Sequence, residues 1–222
     1  MLIPVVIIFT HENMNTRVRG RKDLENVTVP FIGEIPLFTR KKKGIFGKKP
    51  QEVKAVVVKE GSRDIINEAF RVLRTNLEFM TGKDIIMTSF NPGSGKSFLT
   101  MNIAVSFAIK GKKVLVIDGD LRHGSASSYI DSPAKGLSDY LGGRIDNLDE
   151  IIVPDPRHKS MDILPVGTIP PNPTELLFDE RLKQVIDTVR EQYDYVLIDC
   201  PPIELVADTQ IIEKLADRTI FV

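Results

Sequence analysis

A chain of 222 residues, 42% of them hydrophobic, is long enough for one α/β domain with a substantial core. Lys plus Arg and Asp plus Glu both number 30, so no bulk charge points to nucleic acid or an acidic partner, and no nucleic-acid role is expected. The single Cys200 excludes a disulfide framework, suits a reducing cytoplasm, and reads as a small packed residue.

The N-terminal run "MLIPVVIIF" is far shorter than the ~20 residues a membrane helix needs. No basic segment precedes it and no small-residue cleavage site follows, which argues against a signal peptide. It leads into "TRVRGRKDLE" and "TRKKKGIFGKK", the order of apolar and basic residues found on the cytoplasmic side of a membrane helix. Residues 1–10 are therefore expected to be the remnant of a transmembrane helix, and 11–60 a basic juxtamembrane linker.

From Asp64 the pattern changes. "DIINEAFRVLRTNLEFM" places Ile66, Phe70, Leu73, Leu77 and Met80 at helical spacing. "KDIIMTSF" reads as a strand, "KSFLTMNIAVSFAIKG" as a helix and "KKVLVIDGD" as a strand, a βαβ unit. "GLSDYLGG" and "NLDEIIV" read as short helices, and "MDILPVG" as a strand. "DERLKQVIDTVREQY" is an amphipathic helix before the strand "YDYVLIDCPP", and "DTQIIEKLAD" leads into "RTIFV". Nearly continuous apolar strands alternating with helices predict a P-loop NTPase-like, doubly wound α/β fold. Its sheet is mostly parallel, with helices on both faces, and occupies residues 61–222.

"SFNPGSGKS", residues 89–97, carries the chemistry. A phosphate loop of the usual form G-x-x-x-x-G-K-[ST] has a glycine where this chain has Phe90, but the strand–loop–helix context is present. Gly93 and Gly95 let backbone N–H groups close round a phosphate. Lys96 supplies a point charge for the β- and γ-phosphates, and Ser97 a Mg²⁺ ligand at the start of the next helix. Asp118 and Asp120 end the next strand, where two carboxylates can share a Mg²⁺ shell or take a proton from a hydroxyl. Asp199 ends another buried strand, the Walker B position. Three such features in this order identify a nucleotide site, with Pro92, Gly93, Ser94, Gly95, Lys96, Ser97 and Phe98 as the loop against the phosphates.

At these motifs the chain resembles the bacterial tyrosine kinases (BY-kinases) of the Wzc/CapB type, over residues 17–222. Their Walker A form x-P-G-x-G-K-[ST] matches Pro92 to Ser97. Their Walker A′, an apolar run then D-x-D-x-R, matches Asp118, Asp120 and Arg122, and "VLIDCPP" matches Walker B. "GLSDYLGG", "ILPVGTIPPNPTELL" and "DCPPIELVAD" are also similar to the family. The resemblance implies a Mg²⁺-ATP-dependent protein-tyrosine autokinase that controls exopolysaccharide or capsule polymerisation and export. Its catalytic set would be Lys96, Asp118, Asp120 and Asp199, with Asp118 accepting the tyrosine proton and Ser97, Asp120 and Asp199 holding the metal or its waters.

Glu68, Arg71 and Arg74 match the family's E-x-x-R-x-x-R helix, which implies a ring-shaped homo-oligomer. Residues at i, i+3 and i+6 share a helical face, so a neighbouring subunit and an intrahelical Glu–Arg pair are both compatible with the spacing. The resemblance further implies the cytoplasmic face of the inner membrane, a polysaccharide export machinery and a tyrosine phosphatase as partners. ParA/MinD-like ATPases share the fold, but their signature lysine falls at position 91, where this chain has Asn91. A non-catalytic nucleotide-sensing partner of an exporter is the other alternative. Family members end in a tyrosine-rich tail, whereas Tyr129, Tyr140, Tyr193 and Tyr195 are the tyrosines here. The chain is thus expected to be a fragment that binds nucleotide weakly or not at all and does not appreciably phosphorylate itself.

Overall fold

The computed structural model describes residues 27–36, 56–203 and 207–222. The transmembrane remnant expected at 1–10 and most of the expected linker lie outside the described residues. Among the described residues, no helix is long and apolar enough to cross a membrane. Residues 27–34 belong to an N-terminal unit (Met1–Glu34) and are irregular there; the rest of this description concerns the second unit, Ile35–Val222.

Helix α1 (Ile65–Phe79) starts at Asp64, whose carboxylate accepts the Asn67 N–H at 2.9 Å. The Ser62 hydroxyl and the Asn67 amide also donate to it, and these bonds hold the Asp64 pKa down to about 2. Phe70, Leu73 and Leu77 are buried as the helical spacing requires, while Ile66 and Met80, at the two ends, are half-buried. Strand β1 (Asp84–Thr88) and strand β2 (Val114–Asp118) are buried at every position. Between them runs α2 (Lys96–Ile109), which is buried continuously from Thr100 to Ala108. It lies against β1, β2 and α1 and stacks Phe107 on Tyr195 with ring centroids 4.1 Å apart. A helix apolar nearly all round belongs between layers, and this one lies between the sheet and α1.

A short α3 (Leu137–Leu141) follows as expected. "NLDEIIV" does not form a helix. It gives one 3₁₀ turn (Leu148–Glu150) and a two-residue strand β3 (Val153–Pro154), because Val153 and Pro154 pair antiparallel with β4 (Met161–Leu164). Proline is tolerated there because β3 is an edge. The structure adds α4 (Pro173–Leu177), then α5 (Glu180–Gln192), β5 (Tyr195–Asp199), α6 (Asp208–Glu213) and β6 (Arg218–Phe221). The sheet order is β3-β4-β2-β5-β1-β6, parallel apart from β3.

Side chains alternate across this sheet. Ile86, Leu115, Ile117, Val196 and Ile198 join Leu182, Val185, Ile186 and Val189 of α5 in one core cluster. The intervening positions, Val116 and Leu197 among them, therefore face α2. By the same parity Asp118 and Asp199 face α2, while Cys200 falls in the α5 cluster. Burial and the neighbouring carboxylates push the Cys200 thiol well up, so it is a packed, unreactive residue.

The segment ahead of α1 is held by side-chain amides of two helices. The Asn102 side chain on α2 accepts the N–H groups of Val57 (2.7 Å) and Val58 (3.1 Å), and Asn67 on α1 accepts that of Lys59 (2.7 Å). Replacing Asn102 with Ala leaves two N–H groups without that acceptor, an expected loss of about 1–3 kcal/mol. The urea midpoint should fall at unchanged slope; an unchanged midpoint would show that residues 57–59 do not stabilise the domain.

Candidate active site

The three motifs meet because β5 lies between β1 and β2. Asp118 pairs in register with Asp199, and Asp199 with Met87, two residues before the loop begins. Backbone bonds continue beyond the strands: Gly119 N–H to Asp199 O (2.9 Å), Cys200 N–H to Met87 O (3.0 Å) and Ile203 N–H to Ser89 O (2.9 Å). The carboxyl ends of three adjacent parallel strands thus form one floor, the usual place for a ligand in an open α/β sheet.

Above it, Gly93 and Gly95 adopt φ values of 75° and 92°, in the left-handed region that glycine enters without penalty. Asn91 O accepts the hydroxyls of Ser89 (2.7 Å) and Ser94 (2.9 Å), which closes the loop on itself. Gly95 is the N-cap of α2, so the first N–H groups of that helix lack intrahelical partners and supply an anion site. Lys96 is buried, Ser97 half-buried and Pro92, Gly93 and Ser94 exposed. The ring of Phe98 packs against Phe70 of α1, with centroids 6.1 Å apart, so only its backbone can face a phosphate. Phe90, at the position of the missing glycine, is exposed.

Asp199 is buried, and neither of its carboxylate oxygens has a hydrogen-bond partner. Burial and the nearby Asp118 charge push its pKa up to about 8, against the opposing effect of Ser97 and Lys96. Asp118 is equally buried, but Ser127 donates both its N–H and its hydroxyl to Oδ2, each at 2.6 Å. Burial still raises Asp118 to about 7. Ser127 Oγ also accepts the Val166 N–H (2.9 Å), tying Asp118 to the end of β4. The Asp120 carboxylate accepts the N–H groups of Arg122 and His123, both at 3.2 Å, and lies 3.2 Å from His123 Nδ1.

A buried carboxylate with two unpartnered oxygens, beside a lysine and a hydroxyl, fits a hydrated divalent cation. Among the described residues no group of three or more His, Cys, Asp and Glu forms a metal cage. Mg²⁺ is commonly held by one or two carboxylates together with substrate phosphates and water.

The structure brings Lys96, Ser97, Asp118, Asp120 and Asp199 to one end of the sheet and keeps Glu68, Arg71 and Arg74 on α1. Arg71 pairs with Glu68 and donates to Ser62 O. Arg74 turns inward and donates to Ser106 O at 2.7 Å. Sequence reasoning missed Ser127, because "GSASSYI" offers several equivalent hydroxyls and no spacing that selects one. It also missed Thr174 and Asp208, whose partner Arg122 is distant in the chain.

The fold and this loop define a P-loop nucleotide-binding protein, and residues 82–221 match a family model described as an AAA domain. The chain is 37% identical over 172 residues to the tyrosine-protein kinase YwqD of Bacillus subtilis, covering 75% of this chain and 72% of YwqD. It aligns over its whole length, at 32% identity, with a Klebsiella pneumoniae protein of the cps region, of which it spans 32%. Its structure resembles the kinase domain of the Escherichia coli tyrosine kinase ETK (TM-score 0.79, 30% identity, 93% of this chain and 82% of that one). MinD of Pyrococcus horikoshii, solved with Mg-ADP, is more distant (TM-score 0.55, 28% identity, 64% and 58%). The chain belongs to the family of bacterial tyrosine kinases.

The raised carboxylates give a sign to the pH dependence. Between the ordinary pKa of 3.8 and about 8, the folded state holds protons that the unfolded state has released. The stability of the nucleotide-free protein should therefore fall as pH rises through that window. Asp199→Asn should flatten the slope and raise the melting temperature at pH 8 by at least about 3 °C, the shift that ~1 kcal/mol gives at this size. A wild-type melting temperature that climbs from pH 5 to 8 would contradict the assignment.

Proposed function

We propose that this domain transfers the γ-phosphoryl group of ATP to protein tyrosine, as a regulator of capsule or exopolysaccharide assembly at the cytoplasmic face of the inner membrane. The observation that carries this reading is the partnerless Asp199 carboxylate, placed on the α2 face with Asp118 and Lys96. Bound Mg²⁺-ATP would supply the phosphoryl group and a cation to neutralise its charge. Lys96 and the N–H groups at the start of α2 hold the phosphates, where fixed charge is most of what phosphoryl transfer requires. Ser97, Asp120 and Asp199 hold the metal or its waters. Asp118, raised toward neutrality, is the acceptor of the tyrosine proton: Ser127 fixes its Oδ2, while Oδ1 accepts only the long 3.3 Å bond from Asp120 N–H.

None of the four tyrosines is a convenient internal acceptor. Tyr193 is buried, with its hydroxyl donating to Asp162 at 2.8 Å, and Tyr195 stacks on Phe107. The Tyr140 ring lies under Arg181, and Tyr129 is half-buried in the 3₁₀ turn Ser127–Ile130. The proposed acceptors are tyrosines of neighbouring subunits, and Glu68, Arg71 and Arg74 on α1 are the proposed contact between subunits of a ring. The polysaccharide export machinery and a tyrosine phosphatase are the further proposed partners, with the N-terminal segment at the membrane.

The protein, incubated with Mg²⁺ and γ-labelled ATP and a tyrosine-rich acceptor peptide, should label the peptide on tyrosine. Lys96→Met should reduce labelling by about 100-fold or more. Phosphate release without tyrosine labelling would favour the ParA/MinD-like alternative. For the subunit contact, Arg71→Ala combined with Arg74→Ala should shift the sedimenting species toward monomer; an oligomer that persists unchanged would leave both arginines as intramolecular partners only.

A further inference from the structure

Arg122 lies two residues beyond Asp120, and nothing in the proposed chemistry uses it. Its guanidinium bonds to two elements distant in the chain. Nε donates to Asp208 Oδ2 at 2.9 Å, and Nη2 donates to Thr174 Oγ1 at 2.9 Å and to Asp208 Oδ1 at 3.4 Å. The Thr174 hydroxyl in turn donates to Asp208 Oδ1 at 2.6 Å. Asp208 is wholly buried at the start of α6, and the pair with Arg122 gives its carboxylate both charge and hydrogen bonds. The triangle locks the planar guanidinium in one orientation, which lysine could not reproduce.

That orientation acts on the metal side of the site. The Asp120 carboxylate is held by the N–H groups of Arg122 and His123, and Asp120 O accepts the Gly124 N–H at 2.9 Å. The turn that orients Asp120 is therefore anchored at Arg122, and Arg122 is anchored by α4 and α6. We propose that Thr174 and Asp208 are positioning residues that aim the Asp120 carboxylate at the nucleotide-bound Mg²⁺ through Arg122. The inference rests on the reading of Asp120 as a metal ligand, and it extends the site to two helices outside the phosphate loop.

Thr174→Val keeps the size of the side chain and removes only the hydroxyl; Thr174→Ser keeps the hydroxyl. Arg122→Lys, on a partly exposed side chain, tests the same path from the other end. A fluorescent ADP analogue is titrated onto the full chain with and without Mg²⁺, and the Mg²⁺ concentration giving half the metal-dependent gain in affinity is read for each protein. It should rise about 10-fold or more in Thr174→Val and Arg122→Lys. It should stay at the wild-type value in Thr174→Ser, and Mg²⁺-free affinity should be unchanged in Thr174→Val. A wild-type Mg²⁺ requirement in both Thr174→Val and Arg122→Lys overturns the proposal, as does an equal loss of Mg²⁺-free and Mg²⁺-dependent binding. A wild-type chain that gains no nucleotide affinity from Mg²⁺ overturns the metal-site reading, and this inference falls with it.

Discussion

Two carboxylates buried at the ends of neighbouring strands are the constraint on which the rest of this structure depends. Asp118 and Asp199 are paired in register, face α2, and repel each other in a region from which water is largely excluded. Such an arrangement opposes folding, since a buried charge without a partner is costly. It persists because the strands that carry it are locked on both faces by apolar packing. The continuous burial of β1 and β2 and the cluster under α5 supply that packing. A divalent cation is the natural complement to two carboxylates that lack charge balance.

The two carboxylates are supported unequally. Ser127 satisfies one oxygen of Asp118 and ties it to the end of β4. The same end of β4 is gripped by α3: Pro165 O and Val166 O accept the N–H groups of Leu137 and Ser138, and Asp139 accepts those of Gly136 and Thr168. The "GLSDYLGG" segment is thus a brace for the Asp118 side of the site. Asp199 has no such brace and is left open to the loop. Positioned groups in a rigid surround are what electrostatic catalysis of phosphoryl transfer needs.

Helix α2 carries the other half of the design. Its first turn presents Lys96 and Ser97, its middle packs on the sheet, and its second turn binds the backbone of Val57 and Val58 through Asn102. One rigid helix therefore contacts the phosphate loop and the segment that enters the domain. Arg74 of α1 bonds to Ser106 of the same helix, so α1 is fastened to it as well.

The amino-acid sequence by itself determined the local content of this protein. Apolar runs of strand length, the spacing of Phe70, Leu73 and Leu77, and the loop from Ser89 to Ser97 fixed most elements, because these depend on neighbouring residues and on backbone sterics. The three aspartates at strand ends were legible for the same reason. Only the tertiary structure decided that β5 lies between β1 and β2, which makes Asp199 a neighbour of Asp118; strand order depends on contacts between residues far apart in the chain. It also decided the edge pairing that puts Val153, expected at the end of a short helix, into a strand with Pro154. The partners of the site, Ser127 for Asp118 and Thr174 with Asp208 for Arg122, were likewise hidden. Their hydrogen bonds are made by side chains whose types are common and whose separations along the chain carry no period.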